Sequence, residues 1–97
     1  MERIIKDRGR GKTTELIRLS NEKQIPIMTM NRDSAQFIEH QAKMMGVKIP
    51  APFFTRDYNR YKGRKNNRVL VDELDQVLEA LLDIQIEGYT LTAPNKY

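Results

Sequence analysis

The stretch Gly9-Arg10-Gly11-Lys12-Thr13-Thr14 stands between a short apolar run, Ile4-Ile5, and a helical pattern, Glu15-Leu16-Ile17-Arg18-Leu19. Read in order, it is a strand, a glycine-bearing turn and a helix that opens on lysine and threonine. Glycine permits the backbone N–H groups of such a turn to converge on one point. The positive end of the following helix faces the same point. This layout receives an anion, and a phosphate above all. Lys6, Arg8 and Arg10 add positive charge around it. A plain helix start explains the same residues differently: Thr13 or Thr14 would be N-caps, and Gly9 and Gly11 turn residues.

A second stretch, Arg68-Val69-Leu70-Val71-Asp72-Glu73, is a short apolar, β-branched run ending in two carboxylates. Such a run predicts a fully buried strand. Its acidic pair falls at the carboxyl end, where open α/β sheets place their ligands. Leu74 begins a helical pattern at once, so a pair of acids favouring the helix dipole is the competing reading.

The two stretches together, each at a strand end and in this order, resemble the Walker A and Walker B motifs of P-loop NTPases. The second resembles the branch that carries an additional glutamate. The first departs at one position, because the pattern G-x-x-x-x-G-K-[ST] asks for glycine where this chain has Lys6. The resemblance implies that Gly9, Arg10, Gly11, Lys12, Thr13 and Thr14 bind the nucleotide. Lys12 would reach the β- and γ-phosphates, and Thr13 and Asp72 would hold Mg²⁺. Glu73, with Lys12, would be catalytic, Glu73 polarising the attacking water. It also implies a further strand between the two motif strands with a polar sensor residue, for which Thr90 or Thr92 is the candidate. No Asn-Lys-x-Asp guanine motif is present, so ATP is the expected nucleotide. The outline is also similar to small P-loop proteins encoded by bacteriophages and mobile elements. Such a minimal ATPase is expected to work with a larger protein partner or as a homo-oligomer.

Ninety-seven residues predict one domain spanning 1–97, with a modest core. The absence of cysteine excludes disulfides and thiolate metal sites, and a single His40 cannot make a zinc site alone. There is no apolar run long enough to cross a membrane, so the expectation is a cytoplasmic protein. The net charge of +4 is uneven. Six basic residues (Arg56, Arg60, Lys62, Arg64, Lys65, Arg68) stand against Asp57 between positions 56 and 68, which makes that segment +5. With Tyr58 and Tyr61 interleaved, it is a candidate DNA or RNA contact, the tyrosines stacking on bases while the cations neutralise phosphates. A solvated surface, an acidic protein partner, or an arginine finger from Arg56 or Arg60 are the alternatives.

Periodicity and punctuation predict strands at Arg3 to Lys6, Ile25 to Met30, Phe53 to Thr55, Val69 to Asp72 and Gly88 to Pro94. Helices are predicted from Lys12 to about Glu22, after an Asp33…Gln36 capping box up to Gly46, and from Glu73 to about Asp83. Leu16, Ile17 and Leu19 should face the sheet, and Phe37, Ile38, Ala42 and Met45 one side of the second helix. His40 is expected at the surface, and Met28, Met30, Met44 and Met45 as gap-filling core or helix face. Alternation of strands and helices predicts an α/β fold. It would be a three-layer α/β/α sandwich around a mostly parallel, five-stranded sheet, minimal and P-loop NTPase-like.

Overall fold

The computed structural model describes residues 11–57, 68–88 and 90. The first predicted strand, with Gly9 and Arg10, lies outside the described residues. So do 58–67 of the basic segment, and Tyr89 and 91–97, which include Thr92.

Helix α1 (Lys12–Lys23) is followed by strand β1 (Ile27–Thr29), helix α2 (Arg32–Met44), strand β2 (Phe53–Phe54), a 3-10 turn (Thr55–Asp57), strand β3 (Leu70–Val71) and helix α3 (Leu74–Leu82). The strands form a parallel sheet in the order β2-β1-β3. Met28 pairs with Phe53 on one side and Val71 on the other. The chain is therefore α/β with three helices and a three-stranded parallel sheet among the described residues. Residues 84–88 and Thr90 carry no regular structure.

The core follows the predicted periodicities. Leu16 and Ile17 of α1, Ile27 of β1 and Ile38 and Ala42 of α2 form one buried cluster, with Met45, Val47, Ile49 and Leu70 packed around it. Residues i, i+3 and i+4 share a helix face, which puts Ile38 and Ala42 together on the sheet. Ser20 is fully buried and satisfied by donating to the Ile25 carbonyl at 2.6 Å. The end of α2 is a Schellman turn. Gly46 takes φ +72°, its N–H bonds the Lys43 carbonyl at 3.0 Å, and the Val47 N–H bonds the Ala42 carbonyl at 3.1 Å.

Several expectations are corrected. The N-cap of α2 is Asn31, whose Oδ1 accepts from the Ser34 N–H at 2.8 Å; Asp33 stands inside the first turn, and the Asp33–Gln36 box does not form. An asparagine two residues upstream offers an equally good acceptor, and the helix starts earlier for it. Phe37 is exposed rather than on the buried face, and Met44 is exposed too. Strand β2 ends at Phe54, and Thr55 opens the 3-10 turn with its hydroxyl donating to the Met30 carbonyl at 3.3 Å. The Val69–Asp72 run is half-buried rather than fully buried, because β3 has a strand neighbour on one side only among the described residues.

Candidate functional site

Gly11 is the N-cap of α1 with φ +81° and ψ +21°, and no side chain caps the helix. Thr13 and Thr14 lie inside the first turn, so the reading of either as a simple N-cap is excluded. A Cβ built on Gly11 would meet nothing within 4 Å, so glycine is needed here for its left-handed backbone and not for space. Gly11→Ala is therefore expected to destabilise the fold by about 1 kcal/mol, with no steric component. Urea unfolding of the two proteins checks this; an unchanged midpoint would show that the turn tolerates a side chain.

Glu73 precedes α3 in the corresponding position. It too is left-handed, at φ +57° and ψ +71°, and its side chain makes no cap. A non-glycine residue in that region costs roughly 1–3 kcal/mol and tends to mark functional sites. A residue serving only the helix start would be Ser, Thr, Asp or Asn, with its side chain turned onto the helix. Instead the Glu73 carboxylate reaches across the fold: Lys12 Nζ donates to Glu73 Oε1 at 2.5 Å, joining residues 61 positions apart. The glycine-bearing turn and the acidic pair thus meet in one place.

Asp72 completes the group. Its N–H bonds the Met28 carbonyl at 3.1 Å, which continues the β1–β3 ladder one residue past the strand and holds the carboxylate at the sheet's carboxyl edge. Burial, first, and the adjacent Glu73 carboxylate, second, raise the Asp72 pKa above the ordinary value; Lys12 pulls it down and does not prevail. The anionic form is therefore disfavoured in the native state. An acid whose folded pKa lies above its unfolded one binds more protons when folded, so stability falls as pH rises from the unfolded towards the folded pKa. Asp72→Asn is thus expected to raise the melting temperature at neutral pH in EDTA, by a few degrees at most, and to shrink that gain below the carboxylate range. Thermal melts across pH check it, and a lowered melting temperature at pH 7 would contradict it.

Comparison with protein-family models, curated proteins and solved structures found no significant match to this chain. The site stands on its own geometry.

The remaining candidates fall into two sets. Arg56, in the 3-10 turn, and Arg68, just ahead of β3, are described and exposed, while Tyr58, Arg60, Tyr61, Lys62, Arg64 and Lys65 lie outside the described residues. One residue that the sequence did not single out is Arg32. Its guanidinium sits 5.6 Å from the centroid of the Phe54 ring, at the carboxyl ends of β1 and β2. The available signal was an arginine at the first position of a helix, where a cation is disfavoured by the helix dipole.

No group of three or more His, Cys, Asp or Glu residues able to hold a metal occurs among the described residues. Among the described residues, no helix is long and apolar enough to cross a membrane.

Proposed function

We propose that the chain binds Mg²⁺-ATP at the junction of Gly9–Thr14 with Asp72 and Glu73, and hydrolyses it. The observation that carries this reading is the contact between Lys12 and Glu73. Two motifs that the sequence holds sixty residues apart are brought within hydrogen-bonding distance at the carboxyl edge of a parallel sheet, where α/β proteins take their ligands. On this reading the full sheet has five strands in a three-layer, P-loop NTPase-like sandwich.

In this reading the α1 N–H groups and the Gly9–Gly11 backbone cradle the polyphosphate, with Arg10 at the loop's rim. Lys12 exchanges the Glu73 carboxylate for phosphate oxygens. Glu73, released, orients a water in line with the γ-phosphorus and takes its proton. Thr13 and Asp72 would hold Mg²⁺, the Asp72 carboxylate gaining a cation that offsets its unfavourable burial, and Thr14 donates to the α-phosphate. The bound Mg²⁺ would neutralise charge building on the β- and γ-phosphates. Thr92 would sense the γ-phosphate. The deciding test is calorimetric titration of Mg²⁺-ATP into wild type and Lys12→Ala; equal binding by the two defeats the reading.

A second reading has a specific observation behind it. Arg56 is exposed in the 3-10 turn that follows β2, and Arg32 stands over the ring of Phe54, the last residue of that strand. With the basic segment that follows, these cations favour DNA or RNA contact, either coupled to hydrolysis or as the whole function of a non-catalytic, phage-type regulatory protein. Steeply salt-dependent binding of an oligonucleotide, weakened when Arg60, Lys62, Arg64 and Lys65 are neutralised together, is its signature.

A further inference from the structure

Two positive elements meet at the start of α1. One is the Lys12 ammonium. The other is the helix end, which no side chain caps, so that its first N–H groups keep the partial charge that draws an anion. The fold brings an anion of its own to this place. The Glu73 carboxylate accepts from Lys12 Nζ at 2.5 Å.

The backbone beneath that carboxylate is unusual for its position. Among the described residues three non-glycines have positive φ: Gln24, Glu73 and Asp83. Gln24 and Asp83 end helices, where a left-handed residue is common. Glu73 begins one. The ordinary N-cap is extended with its side chain turned onto the helix, as Asn31 is at φ −152° and ψ +171°. Glu73 takes φ +57° and ψ +71°, leaves α3 without a side-chain cap, and gives its carboxylate to Lys12 instead. Both the backbone cost and the forgone cap are thus spent on one ion pair.

We infer that Glu73 is a built-in competitor for the anion that α1 receives: with its carboxylate on Lys12 the site is latched, and a ligand must displace it before Lys12 can serve a phosphate. The latch rests on the proposed phosphate-binding role of the Gly9–Thr14 loop and gives that site a regulation. It lowers the apparent affinity of an anionic ligand in proportion to the fraction of molecules in which the pair is open. An ion pair whose partners both keep solvent contact holds together by a factor of up to about 5. Repulsion between the carboxylate and an anion a few ångströms away adds a similar factor. A bare anion offers Glu73 nothing in exchange for Lys12 and meets the full effect, so a metal-free polyphosphate reads the latch most directly.

The test is calorimetric titration of inorganic pyrophosphate, in EDTA and 0.15 M salt, into wild type, Glu73→Gln, Glu73→Gly and Glu79→Gln. Glu73→Gln should bind about 5- to 20-fold more tightly than wild type. Glu73→Gly, in which the left-handed backbone is unstrained, should match it. Glu79→Gln removes the same charge six residues along α3, about 9 Å away and beyond the screening length, and should bind like wild type. Circular dichroism and a thermal melt of each protein show that it is folded. Equal affinity of wild type and Glu73→Gln overturns the inference. So does an equal gain in Glu79→Gln, which would make the effect one of overall charge, or a gain in Glu73→Gly alone, which would assign it to the backbone. Absence of pyrophosphate binding in Glu73→Gln, where the latch is gone, overturns it too. Only if wild type also fails to take up Mg²⁺-ATP does the proposed function fall with it.

Discussion

If the proposed site binds Mg²⁺-ATP, Lys12→Ala is expected to bind it at least about 100-fold more weakly than wild type, with no heat detectable in a titration at protein concentrations where wild type is expected to saturate. The expectation follows from what Lys12 faces. Its ammonium neutralises the Glu73 carboxylate and lies close enough to Asp72 to lower that group's pKa. Removing it leaves two adjacent carboxylates with less compensation, at the place where the proposed function puts a polyphosphate. Charge-assisted hydrogen bonds contribute about 1.5–3 kcal/mol each, so losing a lysine that serves two phosphate oxygens accounts for two orders of magnitude or more. The fold should survive. Both side chains of the ion pair keep solvent contact, at 29% and 40% exposure, and such pairs contribute about 0–1 kcal/mol. A melting temperature near that of wild type, together with lost binding, separates a functional effect from unfolding.

On the same proposal, Glu73→Gln is expected to keep nucleotide binding and to lower turnover by about 10²–10⁴-fold, the range that a positioned general base supplies. The amide has the size of the carboxylate and its oxygen can still accept from Lys12. It cannot take a proton from water. Because the amide competes less strongly for Lys12 than the carboxylate does, nucleotide affinity should equal or slightly exceed that of wild type. Phosphate release under single-turnover conditions, beside a binding isotherm for each protein, is the measurement. Unchanged turnover with unchanged binding would remove Glu73 from the chemistry and leave the Lys12 contact as a structural link. Loss of binding would assign Glu73 to holding the loop's shape.

The pairing of motifs was readable before any coordinates. Glycine, lysine and threonine between an apolar run and a helical period, and two acids ending a β-branched run, are local patterns whose physics is local: positive φ at Gly11, an uncapped helix start, a strand end. The helices α1 and α3 and the turn at Gly46 were legible for the same reason. Caps and boundaries were less so. Asn31 and Asp33 are both competent N-caps, and the choice between them depends on how Thr29 and Thr55 tie the ends of β1 and β2, Thr29 Oγ1 donating to the Asn31 carbonyl at 2.8 Å and Thr55 to Met30. No window of sequence contains that information.

By itself, then, the sequence determined which residues carry charge and turn, the α/β alternation, and the two candidate halves of the site. Only the tertiary structure decided that the halves meet. Lys12 reaches Glu73 because the parallel ladder sets Asp72 one residue past β3, while α1 leaves its glycine turn at the same edge of the sheet. It also decided which apolar residues stay outside. Leu74, Leu78 and Leu82 have the spacing of a buried face, as Ile38 and Ala42 do, and periodicity cannot tell the two apart. Burial depends on whether another element arrives to cover the face, and among the described residues α3 has only the 3-10 turn substantially packed against it.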